Sequence, residues 1–284
     1  MPEEPRRVHL EPDTRDAEAG RIPGQSGTPE PLLPPPVPPE PLLPPPALPE
    51  RYPFWGYADL LWFFGFAIPC MLAGEAAEWL TLTSFKWRVA SLAVRHVPGM
   101  FVGYALLFGA LRMMFRLRYD RPLWRSLGWL PPRLPVLWIV TCGMATAILV
   151  AITSALIRTP TGENPMTQML ETRTDVLLVG TLGITLAPLF EELTFRGFLQ
   201  PLLVRSLGAA AGILLTAVPF GLLHFQEYGN SWRHALIIGG AGAAFGWMRH
   251  STGSTKAAVI MHAAYNSLFF IALMAEKRIL PRLW

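Results

Sequence analysis

The chain has 284 residues, 51% of them apolar and only 15% charged, which is too little charge for a soluble surface of this size and points to lipid. The net charge of +4 joins an acidic stretch, residues 1–50 with nine acidic and four basic side chains, to a remainder near +9. With no basic patch interleaved with aromatics, that excess reads as headgroup contact and topology signal, not as a nucleic-acid surface. Two cysteines, Cys70 and Cys142, exclude a disulfide framework or a thiolate metal site.

Residues 1–50 hold sixteen of the 29 prolines, with Pro-Glu-Pro-Leu-Leu-Pro-Pro-Pro at 29–36 and again at 39–46. Such a run forms neither helix nor sheet ladder, so a disordered, proline-rich tail is expected, a spacer whose partner is unknown. It has no apolar stretch near Met1, so no cleavable signal peptide is expected and the first span does the targeting. A membrane crossing takes roughly 20 mostly apolar residues, and stretches that qualify or nearly do lie at 54–74, 97–115, 134–157, 176–204, 207–223, 235–249 and 256–275. The expected architecture is an all-α, polytopic membrane helix bundle of seven transmembrane helices with its active site inside. Residues 75–96 are read as an interfacial helix, or an eighth crossing if their charges pair. The domains expected are the tail 1–50, N-terminal spans and a basic loop over 51–174, a catalytic core over 175–275 and a short C-terminal tail over 276–284. The loop 112–133 carries six arginines against Asp120, the strongest cytoplasmic signal present, although Lys277, Arg278 and Arg282 then fall outside, against the same rule. The expected location is a multi-pass integral membrane protein, in the inner (plasma) membrane if the source is bacterial.

Three charges interrupt the fourth span, in Ala187-Pro-Leu-Phe-Glu-Glu-Leu-Thr-Phe-Arg-Gly-Phe-Leu199, each costing about 2.5–3.5 kcal/mol near the bilayer centre if unpaired. Glu192 and Arg196 stand four apart and share a helix face, so they read as a structural pair. Glu191 points about 100° away and is left as a free carboxylate, a general-base candidate. A plain exit of the helix from the membrane would explain these charges equally well were they alone. Two further polar sites shift the balance: Phe220-Gly-Leu-Leu-His224 ends the next apolar run, and His262-Ala-Ala-Tyr-Asn266 lies within the last one. His262 and Asn266 are one turn apart and project toward one point. His96, His234 and His250 stand at span ends and receive no role. Small residues across 239–246, among them Gly239, Gly242 and Gly246, read as a close-packing face.

Taken in order, E-E-x-x-x-R, F-x-x-x-H and H-x-x-x-N make the chain resemble the CAAX prenyl protease and bacteriocin-processing family of intramembrane proteases, over about 175–272. The resemblance implies that Glu191 with His224 activates a water and that His262 and Asn266 stabilise the oxyanion, with Glu192 and Arg196 holding the helix. It further implies an endopeptidase acting on a membrane-anchored peptide or protein substrate, CAAX-like or otherwise lipid-modified, in contact with membrane lipids. A metal-free glutamate mechanism is favoured on that resemblance. The alternative is zinc held by Glu191, His224 and His262, with water as fourth ligand. Two other classes stay open: a non-catalytic membrane scaffold or immunity-type protein, and a transporter or proton relay, which would call for a repeat of the motif-bearing helices in the first half; none is seen.

Overall fold

The computed structural model describes residues 51–84, 91–162, 164–170 and 172–276. The proline-rich tail 1–50 and the tail 277–284 lie outside the described residues. Every regular element described is helical: α1 (Tyr57–Ser84), α2 (Leu92–Tyr119), the single turn α3 (Leu123–Ser126), α4 (Val136–Leu156), the turn α5 (Pro165–Gln168), α6 (Arg173–Ile184), α7 (Leu186–Glu192), a π-helical segment (Leu193–Leu199), α8 (Gln200–Leu207), α9 (Ala209–Leu223), α10 (Trp232–Thr252) and α11 (Thr255–Glu276).

Local chemistry explains the boundaries. The Thr172 hydroxyl accepts from the Asp175 backbone N–H while the Asp175 carboxylate accepts from the Thr172 N–H, a reciprocal cap that starts α6. Ser91 and Ser231 cap α2 and α10 more simply, each hydroxyl accepting from one backbone N–H, that of Val94 and of His234. Gly208, at φ +84°, turns the chain from α8 into α9. Elements α6, α7, the π segment and α8 form one nearly continuous run over 173–207, and α9 passes through Pro219 unbroken as far as Leu223.

The run 173–207 lies between two apolar clusters. On one side Leu193, Phe198 and Leu202 pack with Trp55, Phe63, Leu111 and Phe115 from the α1–α2 side. On the other, Phe195 joins Ile139 of α4, Phe220 of α9, Phe245 of α10 and Met261 of α11. The buried Trp55 indole donates to the Phe198 carbonyl at 3.0 Å, tying the chain before α1 to this central run. One end of the bundle gathers Asp59, held by Tyr119 and Arg118, and Thr255, whose N–H donates to the Gly128 carbonyl. At the opposite end Ser91 meets Asp175, and Arg233 donates to the Arg158 carbonyl.

Among the described residues, five helical runs are long and apolar enough to cross a membrane: Tyr57–Ser84, Ala93–Tyr119, Val136–Leu156, Arg173–Leu207 and Thr255–Ala275. Their outward faces are apolar, as Leu137, Trp138, Leu149 and Ile152 of α4 show, a surface that water would penalise and lipid accepts. The protein is an integral membrane protein built entirely of helices among its described residues. Two expectations are corrected. Among the described residues of 75–96, those up to Ser84 continue α1 and α2 has begun by Leu92, so no separate interfacial helix starts at 75. Glu78 of α1 is paired with Arg95 and His96 of α2, each at 3.6 Å. The second correction is that the fourth span is longer than 176–204 and is interrupted by the π turn.

Candidate active site

Glu191 and Glu192 close α7, and the chain widens at once into the π segment that carries Arg196. A π turn places one extra residue per turn and commonly marks functional positions inside helices. Glu192 is fully buried and Glu191 only half-buried, so the two carboxylates face different surroundings, as their 100° separation requires.

Glu192 is the hub. Its Oε1 accepts from Arg196 Nη1 at 2.9 Å and lies 3.0 Å from His262 Nδ1. Arg196, itself fully buried, donates from Nη2 to the Gly242 carbonyl at 2.6 Å and lies 4.3 Å over the Phe220 ring. The expected Glu192–Arg196 pair is therefore present, and it has a third member, His262, from a helix seventy residues away. Gly242 makes this approach feasible, since a Cβ there would lie 2.7 Å from the Phe220 ring and 3.0 Å from Arg196 Nη2. The small-residue face reads as expected: Gly239 approaches Ala217 and Gly221, and Gly246 faces Gln200.

His262 stacks on Phe245 at 4.5 Å and meets Phe220 edge-on at 5.9 Å. With Nδ1 turned to Glu192, Nε2 is the nitrogen left for a ligand. His224 sits on the other side of Phe220, ring centroids 5.0 Å apart, with Nδ1 against the Phe220 carbonyl at 2.8 Å. That carbonyl accepts only, so Nδ1 carries a proton, and Nε2 is the ring nitrogen turned toward the site. Asn266 donates to the Gly183 carbonyl of α6 at 2.6 Å.

Glu191 makes no hydrogen bond or ion pair with a described residue, and its Oε2 is enclosed without a partner. Its charge is felt by Tyr104 of α2, by Arg196, and by Glu227 and Tyr228 of the α9–α10 connection. Glu227 escaped the sequence reading because it falls in a connection, where an acidic residue ordinarily meets water. Its position three residues after His224 was the available signal: its Oε2 lies 4.0 Å from His224 Nε2. Burial, with Glu191 adding to it, pushes the Glu227 carboxyl up while His224 opposes, although the side chain remains 54% exposed. Burial, then Glu227 and Glu191, push the Tyr228 phenol up to about 12.

Among the described residues no three His, Cys, Asp or Glu side chains are grouped to hold a metal ion, and His262 faces Glu192 through Nδ1 while its Nε2 stays open.

Residues 173–268 match the family described as "Type II CAAX prenyl endopeptidase Rce1-like". Comparison with curated proteins and with solved structures gave no match. The matched segment spans about a third of the chain and contains every residue of the polar constellation. Over residues 173–268 the chain is thus similar to the CAAX prenyl protease and bacteriocin-processing family, in agreement with the order of its three motifs.

Proposed function

We propose that the chain is an intramembrane endopeptidase that hydrolyses a peptide bond of a membrane-associated, lipid-modified substrate with a water activated by Glu191 and His224. The observation that carries this reading is the division of labour between adjacent carboxylates: Glu192 is tied to Arg196 and His262, whereas Glu191 has no partner. A half-buried carboxylate with an unpartnered oxygen is suited to take a proton from water.

Glu191 accepts the proton of a water that also donates to Nε2 of His224, and the resulting hydroxide adds to the scissile carbonyl. The oxyanion faces His262 Nε2 and the amide of Asn266, donors whose effect is strong in a site shut off from bulk water. The Glu192 carboxylate at Nδ1 supports the positive charge His262 needs to donate from Nε2. Collapse of the tetrahedral intermediate returns the proton from Glu191 to the leaving amine. No step calls on a metal. The helical setting of the site suits a substrate presented from within or beside the lipid, and its CAAX-like character rests on the family.

The test is hydrolysis of a lipidated peptide by purified protein in detergent. Glu191→Ala should lower the rate about 10²–10⁴-fold, the range for loss of a general base, with thermal unfolding unchanged. Cleavage at the wild-type rate would overturn the mechanism, and a wild-type protein that cleaves no lipidated peptide would favour the scaffold reading. Activity lost to a chelator and restored by zinc would return the metal alternative.

A further inference from the structure

A polar cavity lies at the end of the bundle where α8 and α10 terminate, and none of the residues of the Glu192 network lines it. Its volume is about 270 Å³, and its polar lining is Tyr52, Gln200, Arg205, Arg249 and His250, with Pro201 and Val204 as apolar floor. No acidic residue lines it. Arg249 is buried, 8% exposed, yet no carboxylate among the described residues pairs with it. Its Nε donates to the Thr255 hydroxyl and its Nη2 to the Tyr52 hydroxyl, both at 2.9 Å, which leaves Nη1 without a described partner. A buried cation held only by neutral groups lacks the countercharge that ordinarily offsets its desolvation. Arg205, four residues from Pro201 on α8, adds a second guanidinium, held by the Pro53 and Trp55 carbonyls.

The remaining polar atoms narrow the ligand. The Tyr52 oxygen accepts from Arg249, so its own proton is free to be donated. Gln200 is 2% exposed, its amide N–H donates to the Gly246 carbonyl, and its Oε1 has no partner. Two guanidinium groups and a hydroxyl donor beside one unpartnered acceptor match a phosphodiester that itself carries a hydroxyl. We infer that this cavity binds the headgroup of an anionic phospholipid of the phosphatidylglycerol type, the phosphate between Arg205 and Arg249 and a headgroup hydroxyl toward Gln200. Guanidinium is the side chain best shaped for such a phosphate, and the cavity opens at the same end as the arginine-rich loop, where anionic headgroups collect.

The experiment uses the full chain in a neutral detergent, with phosphatidylglycerol, phosphatidylcholine or inorganic phosphate as probe, read by retained lipid in native mass spectrometry and by thermal shift. Phosphatidylglycerol should be retained and should raise the unfolding temperature, and phosphatidylcholine should do neither. An equal shift with inorganic phosphate would mean that the site takes free phosphate, overturning the lipid assignment. Arg205→Gln should weaken phosphatidylglycerol retention about tenfold, the effect of one lost charge-assisted hydrogen bond. His250→Ala, at an exposed rim position, should weaken it less. If Arg205→Gln fails to fold, His250→Ala and Gln200→Glu, which puts a negative charge beside the phosphate, carry the test. Arg133→Gln removes an exposed charge outside the cavity and should change nothing. Equal losses for the Arg133 and cavity variants would mean diffuse surface charge and would overturn the site.

Discussion

At the scale of single residues, the adjacent glutamates should separate in two different measurements. Glu192 offers one oxygen to both Arg196 and His262 at 2.9 and 3.0 Å, in a setting without solvent access. Replacing it with Gln leaves the buried Arg196 without its countercharge, and loss of one partner of a buried pair costs about 3–5 kcal/mol. Glu192→Gln should therefore lower the unfolding temperature in detergent and reduce hydrolysis together, whereas Glu191→Gln should reduce hydrolysis with the unfolding temperature near wild type. Adding Arg196→Met to Glu192→Gln removes the orphaned charge and should restore part of the stability but not the activity. If the two glutamate variants behave alike in both measurements, the division of roles is wrong.

At the scale of elements, α9 and α10 meet so closely that Gly221 has no room for a side chain: an added Cβ would strike the Ala235 carbonyl and lie 3.0 Å from Gly239. Gly221→Ala must push α10 away from the helix that carries Phe220 and His224. A cost of about 1–3 kcal/mol is expected for such overpacking, read as a drop in unfolding temperature. Gly240→Ala, which would meet nothing within 4 Å, is the neutral control. The same elements show what a sequence discloses. Glu192 and Arg196 were legible because four residues of helix bring their side chains together, and residues 239–246 because small side chains recur on one face. The bond from Glu192 to His262 was not, since seventy residues of chain carry no periodicity that links them. The extent of α1 beyond residue 74 was not legible for an electrostatic reason: acidic residues in a helix ordinarily mark its exit to water, but Glu78 finds its cations on α2. The π turn has no sequence signature at this level, and Glu227 was hidden in a connection whose ordinary reading is solvent.

At the scale of the whole molecule, the length of α9 sets the depth of the site. Fifteen residues at 1.5 Å of rise span only about 22 Å, short of the roughly 30 Å of hydrocarbon in a bilayer. If its N-terminal end at Ala209 reaches the headgroups beside the arginine-rich loop, its far end, at His224, stops below the opposite headgroups. The connection 224–231, with Glu227 and Tyr228, then dips toward the lipid. One charge cluster bears on orientation. The short loop between α2 and α4 holds most of its arginines within a few residues of helix ends, where the positive-inside rule acts most strongly, so that end should face the cytoplasm. Single cysteines at exposed Arg133 and Asn230 test this, with the native Cys70 buried and Cys142 half-buried. A membrane-impermeant maleimide added to intact cells should label Asn230→Cys and spare Arg133→Cys, and inside-out vesicles should give the reverse. Labelling of both from one side would mean that the helices joining them do not carry the chain across, and the depth assigned to His224 would fall with that result.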